Sequence, residues 1–537
     1  MRPREQLRLN VESLEARDTP AVFYVTPAGS DGNPGSTAAP LLTLQAAAGR
    51  VAPGDTVVVG AGTYRGFNAT TSGTAAARIT YRADPAAGVG GVVVNLPNPW
   101  NSVDGINLEG ASYVTVEGFT VTGQPRTGIR SVSNEFAVIR NNVADSNAVW
   151  GIFTGFSSDV LIENNQASRS AQQHGIYVSN SADRPVVRGN TAFENRAAGI
   201  QLNADVSQGG DGIITNAVIE NNVLRANGAG GGASINLDGV QDSDIRNNLI
   251  DGARAGGIAL FQWDGATGSK NNRVVNNTVI VDNAANVAYG RWAVAVTGGS
   301  TGNVLKNNIL FSTHAFRGGL SVSPDSLAGL VSDYNAAESR FSTDDGDTAV
   351  GLAAWQAATG QDAHSVALAG VADLNGLFVD RPGGNDHLVA GGLAVDRGTS
   401  AGAPPRDFEG TSRPSGAGID IGADELFVAA PNTPPTISAL PNVTLTYNSA
   451  SRVFEFSVGD AETPVGSLTV TVTSSNPTLL PDANLVLGGA GAKRTLGVTP
   501  ARNKTGTAIV TVRVTDASGA SVKMSFTVWV VMQRRTR

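Results

Sequence analysis

Near the middle of the chain lies a set of residues of the types that hold sugars. Trp150, Phe153, His174 and Tyr177 are followed by Gln201, Asn203, Asp205, Asn236 and Asp238, with Trp263 further on. Aromatic faces stack on the CH faces of sugar rings, and amides and carboxylates take the hydroxyls. Two chemistries are open to them. In β-elimination the proton α to a uronate carboxyl is removed while the carboxylate is neutralised. His174 or Tyr177 would be the base, Arg196 would face the substrate carboxylate, and Asp205 and Asp238 would hold Ca²⁺ or polar groups. In glycoside hydrolysis two carboxylates flank the bond, and Asp205 with Asp238 is the best pair. The rival reading is an ordinary solvated face on a non-catalytic adhesin or structural surface protein.

A repeat positions these residues. Gly-Ile recurs at Gly128, Gly151, Gly175 and Gly199, about every 24 residues, and again at Gly257. Alternating with it is an apolar pair, a charge and Asn-Asn, at Asn141, Asn164, Asn221, Asn247, Asn276 and Asn307, with Gly189-Asn190 as a variant. A period in this range marks a solenoid, and the residue types are those of strands and turns. The fold class expected is all-β: a right-handed parallel β-helix followed by a small Ig/cadherin-like β-sandwich. Side chains alternate along a strand. The residue after each Gly-Ile or Ser-Ile therefore points outward: Arg130, Phe153, Tyr177, Gln201, Asn236, Ala259. Two residues on, the outward column is Val132, Gly155, Ser179, Asn203, Asp238, Phe261. Asp205 and Asp211 lie in an insertion expected to overhang this face. Trp263 and Asp264 lie in another widened coil.

On the Asn-Asn side the inward column is apolar (Val116, Ile139, Ile162, Val187, Ile219, Ile245, Val274, Leu305). The next residue alternates in charge: Glu117, Arg140, Glu163, Arg188, Glu220, Arg246. Stacked coils place each charge between opposite ones, which opposes a register slip of one coil. The second Asn of each pair is expected to form a ladder along the solenoid axis.

The composition fits and excludes. The 537 residues hold 65 Gly, no Cys and four scattered His, and the net charge is −8. Disulfides, thiolate chemistry and Cys-ligated zinc are out, a His-cluster metal site is not expected, and nucleic acid is not an expected partner. No apolar run reaches the length of a membrane span.

Along the chain, residues 1–20 are read as a leader without core pattern, resembling the "LExLExR…P" start of large bacterial surface proteins. Residues 21–66 (AVFYVTPAGSDGNPGS…PGDTVVVGAGTYRG) resemble the N-terminal cap of β-helix proteins in the family-nine pectate lyase group, and Asp31 and Asp55 are read as turn residues. The β-helix is expected over 21–427. Its last part, about 378–427, contains DRGTSAGAPPRDFEGTSRPSGAGIDIGADE, which resembles the "DIGA-x-E" ending of bacterial surface β-helices and is read as a C-terminal cap. Residues 428–435 are a linker, 436–531 resemble Ig/cadherin-like modules, and 532–537 are a basic tail. Asp460, Glu462 and Asp516 would bind Ca²⁺ at that module's edge. The cap resemblance implies a Lys base beside a Ca²⁺-binding Asp cluster. This chain departs from it: Lys270 sits in a loop, Lys306 belongs to the charge ladder, and no matching Asp cluster occurs. The polygalacturonase motifs are absent as well. The expectation is a secreted or cell-surface bacterial protein, a monomer, with polysaccharide as partner and Ca²⁺ as the one cofactor in view.

Overall fold

The computed structural model describes residues 19–283, 290–428 and 431–532. The expected leader lies outside these residues except for its last two, as do residues 429–430 of the linker and the tail beyond Met532. The chain divides into two compact units, residues 1–427 and 428–537.

The first unit is three all-parallel sheets of 12, 12 and 11 strands, wound one coil after another into a parallel β-helix. Such crossovers are right-handed because the strand twist admits only that closure. We call the sheets A, B and C. One coil runs Thr127–Val132 in sheet C, Val138–Arg140 in A and Val143–Asp145 in B, then returns to C at Trp150–Gly155. Each inward position stacks on its equivalent. Sheet C carries Ile106, Ile129, Ile152, Ile176, Ile200, Ile235 and Ile258 in register. All of these are essentially inaccessible. Burial of this kind is worth about 25 cal/mol per Å² of apolar surface, and the ladders make each coil the template for the next.

The Gly of each Gly-Ile step is there for space, not for a left-handed backbone. A Cβ on Gly151 would come within 2.6 Å of the Gly175 carbonyl oxygen in the next coil. The left-handed positions fall instead on the first Asn of each pair, such as Asn141 and Asn164. That turn aims the second Asn inward. Asn142, Asn165, Asn190, Asn222, Asn248, Asn277, Asn308 and Asn335 form one continuous buried ladder, each side-chain oxygen accepting from the backbone N–H of the Asn before it. A second ladder at the corner between sheets B and C, including Asn195 and Asn227, was not expected from the repeat.

The charge column is in register but resolves mainly into pairs. Arg140 reaches Glu117 at 2.5 Å and Glu163 at only 3.9 Å, Arg188 takes Glu163 and Arg246 takes Glu220. A guanidinium fork satisfies one carboxylate well at a time. Arg188 is about half exposed. Arg188→Ala should therefore lower stability by less than about 1 kcal/mol in denaturant unfolding. A loss several times larger would show that the column acts as one network.

At the N-terminal end Asp31 accepts from the backbone of Leu42 and Thr43 and from the Thr43 hydroxyl, and Asp55 accepts from Ala21 and Ala52. Both are turn clamps. At the other end the helix Leu352–Thr359 brings Trp355, fully buried, against Phe341. Residues 378–427 run back along the outside of the solenoid. They bury Phe378, Leu388 and Ile421 with Ile280, Ile309 and Phe311 of sheet B. Asn247, Asn276 and Asn307, the first Asn of their pairs, donate to the carbonyls of Arg406, Asp420 and Thr399. Asp407, Asp420 and Glu425 accept backbone N–H groups within the same segment, so these three carboxylates are structural.

The second unit packs two four-stranded sheets over one core that includes Phe454, Phe456, Leu496, Val512 and Phe526. Strict alternation along Arg452–Gly459 and Gly506–Thr515 buries every second residue. No helix among the described residues is long and apolar enough to cross a membrane.

Candidate functional site

The outer face of sheet C gathers most of the residues singled out above. Arg130, Phe153, Tyr177, Gln201, Asn236 and Ala259 are direct neighbours across the ladder, and Ala295 and Ser321 continue the column. Coils stack about 4.8 Å apart, so the five steps from Tyr177 to Ser321 cover roughly 24 Å. Arg130 at the near end is neutralised by Glu109 and bonded to Asn107.

Two adjacent coils carry an aromatic cluster. Trp150 lies 4.8 Å from Phe153 and 5.8 Å from Tyr177 between ring centroids, Phe153 meets Tyr177 edge-on at 5.3 Å, and His174 meets Tyr177 at 5.2 Å. The Trp150 indole N–H donates to Gln173 at 2.8 Å. Amides follow. Asn236 donates to Gln201 at 2.7 Å, and Asn203 donates to Asp264 at 3.0 Å and to the Tyr177 hydroxyl at 3.3 Å. All three aromatics are half-buried, with one edge or face outward.

The two proposed bases are poorly suited to that role. His174 Nδ1 accepts the Ala198 N–H at 3.1 Å, so the neutral ring carries its proton on Nε2 and presents a donor. Burial pushes its pKa down from 6.5 to about 4. Burial raises the Tyr177 phenol, so it stays protonated at neutral pH and offers little phenolate to act as a base. The His174 shift has a consequence for stability. Between about pH 6.5 and pH 4 the unfolded chain takes up a proton that the folded chain refuses. Stability therefore falls as pH is lowered through that window and levels off below it. The loss is on the order of 3 kcal/mol at most. His174→Gln should lose less between pH 7 and pH 4.5 in thermal unfolding; equal losses would assign the effect elsewhere.

Asp238 sits at the register position expected but faces the wrong partners for catalysis or metal binding. It is 1% exposed, and its two oxygens accept the backbone N–H groups of Trp263, Asp264 and Gly265 at 2.8, 2.8 and 3.2 Å. It fastens the widened coil that presents Trp263 and Asp264. Asp205 caps a short turn in the insertion, accepting from the Ser207 N–H and hydroxyl at 2.9 and 2.6 Å. The pair thus offers neither two free carboxylates flanking a bond nor a ready Ca²⁺ ligand set. Arg196 is exposed at the corner before Ile200–Asn203, close against Gly230 of the next coil. In the second unit Asp460 accepts from Glu462 and Thr463, Glu462 from Thr433, and Asp516 from Ala520 and Asn432. These are turn carboxylates and do not converge as ligands. Among the described residues the group of three close enough to share an ion is His387, Glu409 and Asp424, in the outer segment away from sheet C.

Beyond the amides the face deepens into a cleft of about 560 Å³ over Asn236, Ala259, Ala295 and Ser321, with Trp263, Arg291 and Arg317 among its walls. Trp263 is 82% exposed. The outward columns end here in Ala259 and Phe261, so alternation alone does not mark this cleft. The signal was present as Gly-Arg-Trp at residues 290–292, at the end of the longest connection between sheets B and C.

Residues 23–183 match the family model described as Pel9A-like, right handed beta helix region, and residues 104–279 that of the right handed beta helix region. The chain carries a right-handed parallel β-helix. Among solved structures, this β-helix is similar to pectate lyase Pel9A, with 19% identity over 76% of this chain and 96% of that one and a TM-score of 0.47. A rhamnogalacturonan lyase matches with 19% identity over 54% and 82% and a TM-score of 0.36. PfbA, a surface adhesin of Streptococcus pneumoniae, matches with 13% identity over 56% and 83% and a TM-score of 0.33. No curated protein matches the chain.

Proposed function

We propose that this protein binds a polysaccharide laid lengthwise along sheet C of its β-helix. The observation that carries the reading is the in-register column Phe153, Tyr177, Gln201, Asn236, with the Trp150 ring packed on its first two members. Rings provide stacking surface, Asn236 provides a half-exposed amide held by the buried Gln201, Asn203 is buried and positions Asp264 and Tyr177, and the spacing of coils is close to the advance of one sugar along a glycan. A polymer outside the cell suits an exported protein.

Binding is better supported than chemistry. β-Elimination on a uronate-containing glycan is the finer reading, but it requires a group that takes a proton, and neither His174 nor Tyr177 is poised for that. Hydrolysis by Asp205 and Asp238 is supported less still, since Asp238 is committed to three backbone donors. One experiment separates these readings. The protein is incubated with pectate, alginate and glycosaminoglycans, with and without EDTA. Unsaturated-uronate absorbance and retention on immobilised glycan are both read. Retention without product is the expected result. Product formation would make it a lyase, and neither signal on any glycan would end the polysaccharide reading.

A further inference from the structure

We infer that the cleft beyond the aromatic strip is an anion subsite that works without a metal ion, in which Arg291 and Arg317 take a carboxylate or sulfate on the glycan. This rests on sheet C being the glycan face. Elsewhere on the β-helix, arginines are repeatedly neutralised by a carboxylate: Arg126 by Asp104, Arg169 by Asp145, Arg184 by Asp159, Arg225 by Asp251 and Asp386, Arg340 by Glu338. Arg291 and Arg317 form no ion pair among the described residues. Arg291 donates to the Gly290 carbonyl at 3.0 Å and Arg317 to the Gly346 carbonyl at 2.5 Å. Those bonds hold each side chain by one nitrogen on a carbonyl and engage no carboxylate among the described residues. They come from successive coils, ahead of Val294–Val296 and Leu320–Val322, and line one cleft.

The surroundings agree. The floor is small, at Ala259, Ala295 and Ser321, which leaves room for a ring. Asp345 is the carboxylate on the rim, exposed and paired with neither arginine. The pKa of His314, buried nearby, is lowered first by burial and then by Arg317, Arg340 and Arg291. A guanidinium fork matches a carboxylate or sulfate without a bridging cation. The aromatic cluster lies about four coils away, roughly 19 Å. The ligand is therefore a chain of about five sugars with its charge displaced from the stacked end.

The test uses the full chain and titrates three polymers: pectate, which carries carboxylates, carrageenan, which carries sulfates, and a neutral galactan. Each is run with and without EDTA and at low and high salt, on wild type, Arg291→Gln/Arg317→Gln, Arg291→Lys/Arg317→Lys and Trp150→Ala. The expected result is tighter binding of pectate or carrageenan than galactan, unaffected by EDTA and weakened by salt. Whichever polymer binds names the group. The Gln pair should lose at least tenfold on it with galactan unchanged, and the Lys pair should keep part of the gain. Loss of anion binding in EDTA, or an unchanged affinity in the Gln pair, would overturn the subsite and leave the glycan face standing. No binding of any polymer, or no effect of Trp150→Ala, would remove the glycan face and the subsite with it.

Discussion

Trp150→Ala should weaken glycan binding by tenfold or more, about 1.4 kcal/mol or above, while leaving the β-helix folded. Trp150 stands at the head of the strip, and its indole is fixed by Phe153, Tyr177 and the bond to Gln173. A ring held by three partners loses little freedom when a sugar stacks on it. Tyr177→Phe should do less, because the face remains and only the contact with Asn203 is lost. Phe193→Ala is the control, since that ring lies on sheet B beneath Arg169. Affinity for an immobilised glycan, with circular dichroism to verify the fold, decides the matter. Equal affinity in wild type and Trp150→Ala would remove the strip from the binding face.

The largest stability effect should come from the buried Asn ladder. Asn222 is fully buried; it accepts from the Asn190 N–H and side-chain amide at 2.9 and 3.0 Å and donates to Val187 O and Asn248 Oδ1, both at 2.9 Å. Asn222→Ala removes all four bonds and strands the Asn190 N–H in a dry interior. Each buried group left unsatisfied costs about 1–3 kcal/mol, so a loss of about 3–5 kcal/mol is expected. Because coils contact mainly their neighbours, the loss should show as local amide exchange around residues 186–250 before global melting. A change as small as that of Arg188→Ala would mean that water replaces the side chain.

The repeat made much of this legible. Inward Ile and Val at a fixed offset from Gly-Ile, and Asn-Asn at the corner, are local patterns repeated many times, so each coil corroborates the last. The column Phe153, Tyr177, Gln201, Asn236 followed from alternation alone. Asp238 shows the limit of that method. Its register beside Asn203 follows from the repeat, yet its partners are the backbone of a turn some 25 residues on, which no period encodes. Arg196 lies exposed at the corner before Ile200–Asn203, whereas Arg291 and Arg317 reach the cleft from irregular connections.

By itself, the sequence determined the stacked coils, the buried columns, the Asn ladder and the face on which aromatics and amides collect. Those features depend on burial and backbone bonding repeated at one spacing. Tertiary structure alone decided that Asp238 is a clamp, that residues 378–427 lie along sheet B, and that two arginines without an ion pair among the described residues share a cleft. These depend on where non-repeating connections come to rest and which polar atoms they leave satisfied, and that is settled only when distant segments meet.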